Sequence, residues 1–159
     1  MIRPLALTLV LFVFAFSAEA GELSGKARAI DGDTMEIGGI QVRLYAIDAP
    51  ELKQTCTSSK GKEQQCGDLA RQMLDTLVKN VKVKCKESSR DKDRTIVASC
   101  FAGPFDINEQ MVASGWALPL VEESDIYLRA EKFARARLEG MWRGTFIPPW
   151  QWRKENGLE

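Results

Sequence analysis

The sequence predicts an α+β, mainly β fold: a five-stranded OB-type Greek-key barrel with three packed helices. Three observations carry this. Five short segments have strand character, one amphipathic helix falls between the third and fourth of them, and two helical segments follow the fifth. At 159 residues and 45% apolar content the chain can build one core of this size. No internal repeat or shift in composition marks a second domain.

Residues 1–20 stand apart. Met1-Ile2-Arg3-Pro4 carries one positive charge, Leu5 to Phe16 is almost wholly apolar, and Ala18-Glu19-Ala20 is a small-residue cleavage signature before Gly21. An apolar run of about a dozen residues is short for a membrane span and right for a secretory signal peptide. The expected mature chain is 21–159, exported to the periplasm or beyond, with no stable membrane association after cleavage. A monomer is expected.

Residues 23–30 read as the first strand. Met35–Ile37 and Ile40–Ile47 flank Gly38-Gly39, and two adjacent glycines suit the positive φ angles of a type I′ hairpin turn. Alternation puts Ile40, Val42, Leu44 and Ala46 on one face of the third strand and Arg43 on the other. Residues 52–65 are polar and read as a loop. Asp68 opens a helix whose stripe of Leu69, Ala70, Met73, Leu74, Leu77 and Val78 ends near residue 79.

Val81, Val83 and Cys85 alternate with Lys82, Lys84 and Lys86 in a fourth strand with a solvated lysine face. Residues 87–94 read as a charged turn and Thr95–Phe101 as the fifth strand. Asp106 and Glu109 form an aspartate version of a capping box, opening a short helix that stops at Gly115. The last helix is expected from Ser124 to Glu139, with Ile126, Ala130, Phe133, Ala134 and Leu138 on one side. Trp142, Trp150 and Trp152 surround Pro148-Pro149 in a tail expected to fold back over the helices.

Lys+Arg and Asp+Glu number 22 each, so no global basic field marks a polyanion partner, and a nucleic-acid site has to be a local patch. Histidine is absent, which excludes Ser-His-Asp hydrolysis, histidine-dependent nuclease chemistry and His-ligated zinc. A catalyst built from this chain uses carboxylates, arginine, lysine, tyrosine, hydroxyls or a metal held by oxygen. Cys56, Cys66, Cys85 and Cys100 imply two disulfides in an exported protein. Of the three connectivities, Cys56–Cys66 with Cys85–Cys100 is favoured: the first closes the polar loop and the second joins neighbouring strands. A Cys₄ zinc site would want C-x-x-C spacing, which the sequence lacks.

The densest chemistry lies at residues 31–51. Asp31 and Asp33 precede the hairpin, and Asp48 and Glu51 follow it. An antiparallel pair brings its open ends together, so these carboxylates converge with Arg43 nearby. Carboxylates without histidine suit Ca²⁺, and an arginine beside them suits a phosphate. The run Asp31-Gly32-Asp33-Thr34, followed by Arg43-Leu44-Tyr45-Ala46-Ile47-Asp48-Ala49-Pro50-Glu51, resembles the hallmark of the micrococcal (staphylococcal) nuclease, or thermonuclease, family: D-G-D-T, then R-L-x-x-(I/V)-D-x-P-E. The resemblance covers most of the mature chain, since that family is a five-stranded OB barrel with three helices in this order. The two cysteine pairs and the Trp-rich ending look like those of its exported bacterial branch.

The resemblance implies a secreted, Ca²⁺-dependent endonuclease that hydrolyses DNA and RNA to 3′-phosphorylated products. It implies Asp33 and Asp48 as carboxylate ligands of Ca²⁺, with the backbone carbonyl of Ala49 completing the protein's share. Only a carbonyl is needed there, so alanine in place of the usual threonine should matter little. Glu51 would be the general base or position the attacking water, and Arg43 would hold the phosphate. Asp31 would stand behind the ligands, and Thr34 would order them by hydrogen bonding.

The family places a second arginine in a D-x-Y-G-R turn before the fifth strand. Here the chain reads Ser89-Arg90-Asp91-Lys92-Asp93-Arg94-Thr95-Ile96-Val97-Ala98, without the Tyr-Gly pair. Alignment without gaps puts Thr95 at the arginine position; a one-residue deletion with a compensating bulge restores Arg94, which is the preferred register. A one-residue slip in a strand reverses the face of every side chain, so the two registers differ in whether a second arginine reaches the site. The family's base-stacking tyrosines have no obvious counterparts. A competing expectation is a catalytically weakened OB-fold binding module of the cell envelope, since some proteins resembling this branch are assigned to exopolysaccharide (succinoglycan) production.

Overall fold

The computed structural model describes residues 22–158, so the signal-peptide reading of residues 1–20 lies outside the described residues. Five strands build the barrel: β1 (Glu22–Ala29), β2 (Thr34–Ile37), β3 (Ile40–Leu44), β4 (Lys82–Arg90) and β5 (Ile96–Ala102). β1 pairs antiparallel with β2 and β4, β2 with β3, and β4 with β5. A parallel pairing of β3 with β5, Arg43 opposite Val97, closes the cylinder. This is the expected barrel, and closure pairs the strand edges that would otherwise lie open.

Gly38 and Gly39 have φ of 59° and 84°, as a type I′ turn requires. β3, however, ends at Leu44 rather than Ile47. Ala46 has φ of 59°, in the left-handed region, and turns the chain off the barrel. Its amide donates to Glu123 Oε2 at 3.0 Å, and its carbonyl accepts from the Leu120 amide at 2.9 Å. Ile47–Asp48 can then pair with Leu118–Pro119, so a distant segment sets the position of Asp48.

Helix α1 (Cys66–Val78) buries Ala70, Leu74 and Val78, with the rest of the expected stripe half-buried. The disulfides are Cys56–Cys66 and Cys85–Cys100; the latter clasps β4 to β5 at directly paired positions. Two disulfides suit an oxidising compartment. No helix among the described residues is long and apolar enough to cross a membrane. The polar stretch read as a loop contains a short antiparallel pair, Thr55–Thr57 with Glu63–Gln65. β4 runs on to Arg90 through a bulge between Glu87 and Ser89, which shortens the expected turn to residues 91–95.

Helix α2 (Ile107–Ala113) is capped by Asp106, whose carboxylate accepts from the Glu109 amide at 3.0 Å. The Tyr127 hydroxyl also donates to Asp106 at 3.1 Å; burial, and then the Asp106 charge, push that phenol well above its ordinary pKa. Helix α3 (Leu128–Arg137) is shorter than expected and ends on Leu138 with φ of 54°. Ala130 and Ala134 are buried, but Ile126, Phe133 and Leu138 are exposed. Ile126 precedes the helix and Leu138 ends it, so neither lies on the helical stripe, and the Arg137 guanidinium covers the Phe133 ring at 5.2 Å. The Trp-rich tail adds a fourth helix, α4 (Pro149–Glu155), opened by Pro149 at its first position.

One buried side chain joins the barrel to the kink at Ala46. Asn108, at the start of α2, donates to the carbonyls of Tyr45 at 2.9 Å and Ala98 at 3.2 Å and accepts from the Cys100 amide at 3.1 Å. The Tyr45 amide also donates to the Ala98 carbonyl at 2.9 Å. Buried backbone groups stripped of a partner cost on the order of 1–3 kcal/mol each. Asn108→Ala is therefore expected to lower the unfolding free energy by about 2–4 kcal/mol in urea denaturation. A loss below about 0.5 kcal/mol, the level of an ordinary surface substitution, would show that the clamp is dispensable.

Candidate active site

Between β1 and β2 the chain reverses through Asp31-Gly32-Asp33. The Asp31 carboxylate accepts from the amides of Asp33 at 3.0 Å and Thr34 at 2.7 Å, which makes it the builder of the turn. Gly32 is required by close approach: a Cβ there would lie 2.6 Å from that of Ala49 and 2.8 Å from that of Ala70. This contact brings the turn against residues 47–51. Asp33 is then braced by the Ala49 amide and the Thr34 hydroxyl, both donating at 3.0 Å.

Asp48 is buried and Glu51 half-buried. The Glu51 amide donates to Gln54 Oε1 at 3.2 Å and its carbonyl accepts from the Gln54 amide at 2.7 Å. Gln54 is itself fully buried, and its Nε2 donates to the Ile147 carbonyl at 2.7 Å. Arg43 approaches from the outer face of β3. Its Nη2 donates to Glu123 Oε1 at 3.1 Å, while the other Glu123 oxygen holds the Ala46 amide.

Asp33, Asp48, Ala49, Glu51 and Arg43 line one cavity of about 290 Å³, together with Asp31 and Arg153. Arg94 does not line it. It sits exposed in the turn with φ of 65°, its carbonyl accepting from Arg90 Nη1 at 3.2 Å. The Asp91 carboxylate closes that shortened turn by accepting from the amides of Asp93 and Thr95.

Arg153, Glu123 and Gln54 were not legible as site residues. Arg153 donates from Nη1 to Asp48 Oδ1 at 2.9 Å and Glu51 Oε1 at 3.0 Å, and from Nη2 to Asp48 Oδ2 at 3.0 Å. It lies 105 residues from Asp48, beyond the reach of any local spacing. The one available hint was the basic pair Arg153-Lys154 directly after the tryptophans.

Four carboxylates and two guanidinium groups line the cavity, a formal excess of two negative charges. At Asp33 this excess adds to the effect of burial. Burial first, then the charges of Asp31 and Asp48, push its carboxyl well above the usual range, and the two hydrogen bonds it accepts only partly oppose them. Among the described residues, no three carboxylate, thiolate or imidazole groups form a metal cage on their own. A hard divalent cation nevertheless suits the charge excess and the oxygen-rich lining of this cavity. The residues present therefore suit Ca²⁺ as a partly hydrated ion.

Comparison with known proteins places the chain beside nucleases. The family described as Staphylococcal nuclease homologue matches residues 41–144. The chain is 32% identical over 145 residues to the succinoglycan biosynthesis protein ExoI of Rhizobium meliloti (strain 1021), covering 89% of this chain and 76% of that protein. It is 29% identical over 154 residues to an uncharacterized endonuclease of Escherichia coli, covering 91% and 94%. It is also 30% identical over 118 residues to the probable staphylococcal-like nuclease CAN2 of Oryza sativa subsp. japonica, covering 72% and 29%.

The raised Asp33 pKa gives a pH dependence whose sign is fixed. Above the unfolded aspartate value of about 3.9, the folded chain binds this proton more tightly than the unfolded chain does. Stability from Asp33 is thus complete below that value and is lost as pH rises through the folded one. In chelator, the wild type should lose stability relative to Asp33→Asn as pH is raised from acid toward neutral. Thermal unfolding across that range checks it, and parallel curves for the two proteins would disprove it.

Proposed function

This chain belongs to the staphylococcal nuclease family, and on that premise we propose that it is a secreted, Ca²⁺-dependent endonuclease that hydrolyses DNA and RNA to 3′-phosphorylated products. The observation that carries this reading is the convergence of Asp33, Asp48, Ala49, Glu51 and Arg43 on one cavity with an excess of negative charge. In this reading residues 1–20 are a cleaved signal peptide and residues 21–159 a monomeric working domain; the two disulfides support export.

Asp33, Asp48 and the Ala49 carbonyl would hold Ca²⁺, which when bound supplies charge neutralisation and Lewis-acid polarisation at a phosphate oxygen. The chain's own groups do the rest. Ala49 and Thr34 keep Asp33 in place. Glu51, gripped through its backbone by Gln54, accepts the proton of the attacking water or orients that water. Arg43 commits one donor to Glu123 and offers the others to phosphate oxygens, whose charge grows in the transition state.

A second reading rests on Arg94, which stands outside the cavity. A binding module of the cell envelope would need no second arginine there, and the Rhizobium relative is named for succinoglycan biosynthesis. Digestion of DNA and RNA by purified protein, with Ca²⁺ or chelator, separates the two. Ca²⁺-dependent cleavage is expected, falling about 10²–10⁴-fold in Glu51→Gln and about 10²–10³-fold in Arg43→Ala. Arg94→Ala should stay within about threefold of wild type, as an exposed residue away from the chemistry would. No cleavage at millimolar Ca²⁺ by a folded protein would favour the binding module.

A further inference from the structure

Helix α4 delivers a guanidinium into the acidic cavity from the far end of the chain. Arg153 makes a two-pronged bond to Asp48, at 2.9 and 3.0 Å, and a third bond to Glu51 at 3.0 Å. Its side chain is 23% exposed, against 5% for Asp48, so this pair is largely shielded from water. An arginine fork on a carboxylate is both strong and directional in such a setting.

The placement is anchored. Pro149 is buried and Trp152 half-buried, and the Ile147 carbonyl just before α4 is held by Gln54. Gln54 also grips the backbone of Glu51. One buried glutamine therefore fastens both the segment leading into α4 and the backbone of the glutamate that α4 reaches.

The two arginines of the cavity are compensated differently. Arg43 is answered by Glu123, whereas Arg153 is answered by Asp48 and Glu51 within the cluster itself. Each carboxylate oxygen has two lone-pair sites, so a cation can share Asp48 with Arg153, but two positive charges on one carboxylate oppose each other. Without Arg153, four carboxylates would face Arg43 alone.

We propose that Arg153 is a positioning residue of this site: a resident cation that fixes Asp48 and Glu51 relative to each other and weakens the binding of a divalent cation beside them. The role assigned to Glu51 rests on the nuclease reading; the effect on cation binding does not.

The test is calorimetric titration of Ca²⁺ into wild type, Arg153→Gln and Arg153→Lys, with thermal unfolding to verify the fold and cleavage measured at saturating Ca²⁺. In Arg153→Gln the Ca²⁺ Kd should fall about tenfold or more, because a unit charge beside the ligand is gone. Its kcat should fall about tenfold or more as well, because Glu51 loses its holder. Arg153→Lys keeps the charge but not the fork, so its Ca²⁺ Kd should stay within about threefold of wild type while kcat remains low. Tighter binding with slower turnover is a combination that general damage to the fold does not produce.

Unchanged or weaker Ca²⁺ binding in folded Arg153→Gln overturns the proposal. So does tighter binding with undiminished kcat, which would leave Arg153 an obstruction without a positioning role. Should Arg153→Gln not fold, the Lys variant decides: wild-type turnover there overturns the positioning role. Should the wild type cleave nothing, the nuclease reading fails, and the calorimetry alone upholds or overturns the effect on cation binding.

Discussion

Ionised carboxylates repel one another, and Asp31, Asp33, Asp48 and Glu51 share one cavity with only two arginines. Most of what is unusual near this cavity serves to hold the cluster together against that repulsion. Asp31 turns its oxygen to two backbone amides, Asp33 is braced by an amide and a hydroxyl, and Asp48 and Glu51 are bridged by Arg153. Burial, and then the charges of Asp31 and Asp48, still raise the pKa of Asp33. A cluster that is fully braced yet short of positive charge is the arrangement a bound cation completes.

Holding the carboxylates there places demands on the backbone. A non-glycine residue in the left-handed region costs on the order of 1–2 kcal/mol, and Ala46 adopts it beside the site. The conformation persists because its neighbours over-determine it: Glu123 and Leu120 hold Ala46 itself, and Ala98 and Asn108 hold Tyr45. Glu123 serves twice, since the carboxylate that stabilises the kink also aims Arg43. Gly32 makes the opposite contribution, with no side chain to keep the Asp31–Asp33 turn away from Ala49. The kink and the close contact together bring two ends of a hairpin to one cavity.

The sequence made the hairpin readable because its geometry is local. Paired glycines, strand alternation and flanking acids fall within one short window, and barrel order follows from the sequence of elements. The Ala46 kink was hidden because an apolar residue in an alternating run reads as more strand. The outer face of α3 misleads in sequence because Ile126 and Leu138 have the right spacing but lie beyond the ends of the helix. Arg94 depended on a turn closed by Asp91, where a single residue of length decides what points where. Glu123, Gln54 and Arg153 act across 80, 93 and 105 residues, and no periodicity spans such separations. Gln54 and Asn108 also belong to residue types that are ordinarily exposed, so composition gives no sign that they are buried and hydrogen-bonded.

Balanced total charge is compatible with a polyanionic substrate once the local field is considered. A phosphodiester entering the cavity meets four carboxylates, relieved by two arginines that are already engaged with Glu123, Asp48 and Glu51. A bound divalent cation would offset that excess, so cation and phosphate would favour each other's binding, and by linkage the effect would be reciprocal. The two arginines differ in what they can then do. Arg43, paired with Glu123 rather than with a carboxylate of the cluster, can turn donors toward a phosphate without disturbing Asp33 or Asp48. Arg153 cannot move without releasing Asp48 and Glu51 together. On the proposed reading, attraction for an anion in this chain depends on a local field that a cation completes, rather than on a basic surface.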